Sequence, residues 1–134
     1  VHAFTRQRFA TPAGEISYLD EGPRSDEAVV MVHGNPTWSF FYRNAVLALR
    51  GHLRCIVPDH LGCGLSDKPQ HWDYTLPNHV ANLRALLDSL NLRKIHLVVH
   101  DWGGPIGLGA LLPQPEKLGR VAILNTAAFA DTVV

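Results

Sequence analysis

Residues 97–109, LVVHDWGGPIGLG, hold the chemistry most worth pursuing in this sequence. An apolar run ends in His100, Asp101 and Trp102, and the paired glycines Gly103 and Gly104 follow before a second apolar run. The spacing predicts a buried strand that turns tightly into a helix, with Asp101 exposed on the turn above the sheet. The frame usual for such an elbow is G-x-S-x-G, and here it reads Val99-His100-Asp101-Trp102-Gly103. The first glycine is absent and aspartate stands in place of serine. No G-x-S-x-G occurs elsewhere, which argues against a serine esterase.

A carboxylate is ionised at neutral pH and needs no base to become a nucleophile. It can attack a carbon bearing a good leaving group and form an ester, and a base is then needed only to aim water at that ester. Two main-chain N–H groups would steady the developing oxyanion. Trp102, the residue after the nucleophile, supplies one, and Asn35 in the loop after the apolar run AVVMVH supplies the other. The plainer reading of Asp101 is the N-cap of the following helix, a place aspartate favours. A cap requires neither the Trp-Gly-Gly sequel nor the HGNP of residues 33–36, so the nucleophile is the better reading.

Other reactive side chains fit structural roles. His96 and His100 fall on one face of the expected strand, but no further zinc ligand, HExxH or paired CxxC accompanies them, and no metal site is expected. Cys55 and Cys63 are too few for a disulfide framework. GCGLSD at 62–67 lacks the lysine of a phosphate loop and reads as a turn with Gly62 and Gly64 in unusual dihedrals. Cys63 has no base assigned to it. His33, at a strand end, is expected with His100 to order the backbone beneath the site, and Trp38 with the following FFYR to form core and surface.

These groups need elements to position them. Residues 6–10 and 15–20 read as a hairpin around TPAG. Residues 28–33, 53–59, 94–100 and 119–126 read as four buried strands, being continuous apolar runs. Residues 38–50, 75–90 and 102–112 carry helical spacing. Alternating strands and helices imply a mostly parallel sheet with helices on both faces, and ligands bind such sheets beyond the carboxyl ends of the strands. HGNPTW, DHLGCGLSD and HDWGG all fall at those ends.

Composition narrows the class. The 134 residues suit one domain, with 46% hydrophobic content and twelve basic against twelve acidic residues. The interspersed charges give no nucleic-acid footprint, no apolar run approaches a membrane span, and the N-terminus has no hydrophobic signal core. A cytoplasmic protein that does not bind nucleic acid is the expectation.

HGNPTWSFFYRN with VVHDWGG resembles the haloalkane dehalogenase branch of the α/β-hydrolase fold, over nearly the whole chain. PDHLGCGLSDKP and LNTAAF are most similar to the β-lactone decarboxylases of long-chain olefin biosynthesis, the third dehalogenase subfamily. The resemblance implies an Asp101 nucleophile, and Asn35 and Trp102 side-chain N–H groups that hold a departing halide, or a lactone oxygen or nascent carboxylate. It implies no cofactor, a small hydrophobic substrate, decarboxylation of a dialkyl β-lactone to a cis-olefin, and as partners other olefin-biosynthesis enzymes or a second copy. Haloalkane dehalogenase, then epoxide hydrolase, are the alternatives; an inactive fragment or assembly module is the non-enzymatic one. Asn125 stands where some dehalogenases carry the triad acid and cannot serve as one. The family's histidine base lies near its C-terminus. Residues 1–134 are therefore expected to be the N-terminal part of the core domain, stopping after about the sixth strand, without lid or C-terminal part and inactive alone.

Overall fold

The structure, a computed structural model, describes residues 4–127. Strand β1 (Arg6–Thr11) pairs antiparallel with β2 (Gly14–Glu21), making the expected hairpin. The Thr11 hydroxyl closes its turn, donating to the Gly14 carbonyl at 2.6 Å and accepting from the Gly14 N–H at 3.2 Å. Strand β2 pairs antiparallel with β4 (Arg54–Pro58), and β3 (Glu27–Val32) runs parallel between β4 and β5 (Lys94–His100). Strand β6 (Leu118–Leu124) lies parallel beside β5, so the sheet order is β1-β2-β4-β3-β5-β6. Val32 is in register with Val99, which brings the carboxyl ends of β3 and β5 side by side.

Helices cover both faces, as the alternation requires. Helix α2 (Leu76–Ser89) is capped by Thr75, whose hydroxyl accepts from the Asn78 N–H, and buries Leu83, Leu86 and Leu87. Together with α3 (Gly103–Leu111) it closes a core around Val30, Val32, Leu97 and Val99. Helix α1 (Arg43–Leu49) covers the other face around Val29, Met31, Cys55 and Val57.

Two expectations are corrected. The helix expected over residues 38–50 is divided into a 3-10 turn, Ser39–Tyr42, and the shorter α1. Ser39 and Tyr42 are both tied inward, the first by its N–H to Asp59 Oδ1 at 2.7 Å and the second by its hydroxyl to the Val32 carbonyl at 2.9 Å. A 3-10 turn stacks positions i and i+3 over one another and so serves both anchors. Strand β6, expected to be buried, exposes Val121, Ile123 and Leu124 on both of its faces, because among the described elements it packs mainly against its neighbour β5.

Candidate active site

Asp101 sits between β5 and α3 with φ of 54°, in the left-handed region that non-glycine residues seldom occupy. Its surroundings impose that conformation. Its N–H donates to the Asn125 carbonyl at 3.3 Å, and its own carbonyl accepts from the Thr126 hydroxyl. Gly103 presses α3 against β3: a Cβ there would run into the carbonyls of Val32 and His33. Gly34 is equally constrained, since a Cβ would overlap the Asp101 side chain. The glycines of the two motifs therefore permit one close approach, that of the loop after β3 to the elbow after β5.

At that approach the Asp101 carboxylate meets two main-chain donors. Asn35 N–H donates to Oδ2 at 3.0 Å and Trp102 N–H to the same oxygen at 2.7 Å. Among the described residues, Oδ1 accepts no hydrogen bond. The two N–H groups, Asn35 first, hold the carboxyl below its ordinary pKa of 3.8, with a smaller contribution from His100. The group is thus ionised at neutral pH, with one oxygen held and the other free to react.

A second carboxylate, unremarked in the sequence, organises the loops. Asp59 is fully buried at the end of β4, where Oδ2 takes Arg6 Nη1 at 2.9 Å and the Leu65 N–H at 3.0 Å. With Oδ1 on the Ser39 N–H, it joins the loop after β3 to the glycine turn after β4. Gly62 and Gly64 in that turn have φ of 87° and 53°, as expected.

Three histidines lie behind the same loops. The His33 and His60 ring centroids are 4.2 Å apart and those of His60 and His79 5.4 Å. Burial lowers the pKa of each below the ordinary 6.5, most for His60. Of these, only His33 drew a structural expectation; His60 and His79 were missed, although His60 follows a strand-end aspartate beside a glycine turn. His100 stacks on Phe41 with centroids 4.5 Å apart, and His96 bonds Glu27 at 2.6 Å. No cluster of metal-ligating residues occurs among the described residues.

The elbow opens on a cleft of about 360 Å³ walled by Leu61, Leu76, Ile106 and Tyr74, with Asn35, His60, His79 and Trp102 as its polar groups. A shallower depression of about 220 Å³ holds Asp101 itself with Asn125 and Thr126. Trp102, half exposed, forms part of both and is the partition between them. Cys63 lines the larger cleft, but burial raises its thiol pKa and so disfavours the thiolate. No described helix is long and apolar enough to cross a membrane.

The family described as alpha/beta hydrolase fold matches residues 27–133. The chain is 55% identical over 129 residues to the cis-3-alkyl-4-alkyloxetan-2-one decarboxylase of Shewanella oneidensis, covering 94% of this chain and 40% of that protein. It is 47% identical over 137 residues to the protein of the same name from Xanthomonas campestris, covering 96% of this chain and 46% of that one. The crystal structure of the haloalkane dehalogenase DatA from Agrobacterium tumefaciens superposes with a TM-score of 0.83 at 32% identity, over 91% of this chain and 41% of that one. The chain spans less than half the length of these relatives.

Proposed function

The chain belongs to the alpha/beta hydrolase fold family, and from that premise we propose that it carries the nucleophile of an enzyme that decarboxylates a cis-3,4-dialkyl β-lactone to a cis-olefin. The observation supporting this reading is the Asp101 carboxylate on its elbow, with Oδ2 held by two N–H groups and Oδ1 unengaged beside an apolar cleft. Similarity to two β-lactone decarboxylases supplies the substrate class.

In this mechanism Asp101 Oδ1 attacks the lactone carbon that bears the ring oxygen. The carbon–oxygen bond of the ring breaks and its electron pair leaves the ring oxygen as part of a carboxylate. The carbon–carbon bond to that carboxylate then breaks, carbon dioxide departs, and its pair forms the double bond while the ester pair returns to Asp101. No water is consumed. Attack inverts the carbon and places the Asp101 oxygen opposite the carboxylate, so fragmentation keeps both alkyl groups on one side. A cis-lactone then yields a cis-olefin without rotation about the carbon–carbon bond. Asn35 and Trp102 act twice: their main-chain N–H groups steady Oδ2, and their side-chain donors receive the emerging carboxylate.

Hydrolytic carbon–halogen cleavage is the second reading, favoured by the structural similarity to DatA. Here Oδ1 displaces halide, and water attacks the resulting ester. The test gives the whole protein a cis-dialkyl β-lactone and a bromoalkane side by side. Olefin from the first with little bromide from the second is the expected result. Rapid bromide release with untouched lactone moves the assignment to the dehalogenase, and full activity in Asp101→Asn overturns both.

A further inference from the structure

The N–H of Asn35 and the carbonyl of Gly34 belong to one peptide unit. Only the next bond, Asn35–Pro36, is cis, so the Gly34–Asn35 unit is trans and its C=O and N–H point opposite ways. Whatever holds the Gly34 carbonyl away from the site therefore aims the Asn35 N–H into it. Three donors converge on that carbonyl: His33 Nδ1 at 2.7 Å, the Thr37 hydroxyl at 3.1 Å and the Thr37 N–H at 3.3 Å. The shortest comes from a fully buried ring.

The proton on that ring is placed by its other partner. His60 N–H donates to His33 Nε2 at 3.0 Å, so Nε2 is an acceptor and the His33 proton is on Nδ1. His60 Nε2 in turn lies 2.9 Å from the His33 carbonyl and must be the donor there, since a carbonyl only accepts. Each histidine fixes the tautomer or the backbone of the other, and both are neutral in this arrangement.

We propose that His33 is the positioning residue of the oxyanion site, its Nδ1–H holding the Gly34–Asn35 peptide so that the Asn35 N–H stays on Asp101, with His60 locking the tautomer that makes this possible. The proposal rests on the Asp101 reading for its catalytic consequence, but its geometric part does not. If the His33 donor is lost, only the longer Thr37 contacts hold the Gly34 carbonyl, the peptide is less firmly oriented, and the Asn35 N–H, the donor that stabilises the ionised carboxylate most, is held less well on Oδ2.

Two substitutions separate the ring's two nitrogens. His33→Gln reaches the Nε2 position and can still accept from His60, but has no donor at the Nδ1 position. His33→Asn places an amide donor at the Nδ1 position and forfeits the His60 contact. In the whole protein, labelled at the aspartate carboxyl carbon and assigned through Asp101→Asn, carbon-13 NMR reads the Asp101 titration whether or not a substrate is known. His100 is the titratable neighbour acting on Asp101, so His100→Gln in each background removes its contribution. The Asp101 midpoint is expected to rise in His33→Gln and to return toward wild type in His33→Asn. With the β-lactone as substrate, kcat should fall about 10- to 1000-fold in His33→Gln with KM little changed, the range for losing one such donor. If His33→Gln does not fold, Thr37→Val removes the hydroxyl donor from the same carbonyl and should raise the midpoint less, in the same direction. An Asp101 midpoint unchanged in these donor-deleting variants overturns the proposal, as does equal damage by Asn and Gln at position 33. Full activity of Asp101→Asn would instead remove the proposed function and leave the titration result standing.

Discussion

At the scale of single residues, Asp101 and Asp59 divide the labour: in the proposed function Asp101 reacts, while Asp59 holds the loops together. Asp101→Asn should abolish turnover of lactone and bromoalkane alike, because a neutral amide is a poor nucleophile. Asn35→Ala and Trp102→Phe should each slow the reaction by roughly 10- to 1000-fold, measured as kcat on both substrates, since each removes a side-chain donor but leaves the main-chain N–H. Their effects should differ between the two substrates, a halide and a carboxylate spreading charge differently. Asp59→Ala is a stability change: it takes the acceptor from two loop N–H groups and from part of the Arg6 guanidinium, and should cost about 2–4 kcal/mol in chemical denaturation, the range for leaving such donors unsatisfied. None of the Asp59 contacts was legible in the sequence. Its partners at positions 6 and 39 lie 53 and 20 residues away, and no local pattern announces a contact across such separations.

At the scale of elements, the site depends on how β3 and β5 end. Their apolar runs and the glycines after them were readable, because a fully covered strand and a tight strand-to-helix turn each demand particular side chains locally. Asp101, Asn35 and Trp102 could be singled out for that reason, and the structure gathers the Asn35 and Trp102 N–H groups on one carboxylate oxygen of Asp101. The 3-10 turn before α1 was not readable, since it is set by anchors on β3 and beyond β4 instead of by its own spacing. The cluster of His33, His60 and His79 makes the elements sensitive to acid. Burial lowers the folded pKa of His33, His60 and His79 below 6.5, so the unfolded chain binds protons that the folded chain refuses. The sign follows: this contribution is fully present above about pH 6.5 and is lost as pH falls toward the folded values. Denaturation midpoints measured from pH 7.5 down to 5 should decline, and His79→Gln should flatten the decline.

At the scale of the whole molecule, β6 leaves apolar side chains exposed on both of its faces. Val121, Ile123 and Leu124 stand out from the sheet edge, and β6 has no neighbour on its far side among the described residues. An open apolar edge is a template for pairing with another chain. Residues 1–134 prepared alone should therefore self-associate in sedimentation velocity, and Ile123→Lys should reduce the association. A monodisperse monomer with a sharp, reversible melt would contradict this. The apolar composition of β6 was plain in the sequence, but composition alone does not say which part of a protein covers a strand.

The inequality between the two oxygens of Asp101 also fixes the ancestry of oxygen atoms in the products. With Oδ2 tethered by two N–H groups, the oxygen left to bond carbon in either proposed reaction is Oδ1. In the hydrolytic route that atom departs with the alcohol, and a solvent oxygen replaces it in the protein. In the decarboxylative route nothing is exchanged, because the ester opens at carbon and both oxygens stay where they began. Turnover in water enriched in oxygen-18, followed by mass analysis of the peptide containing Asp101, would therefore leave a heavy atom in the protein after one reaction and none after the other.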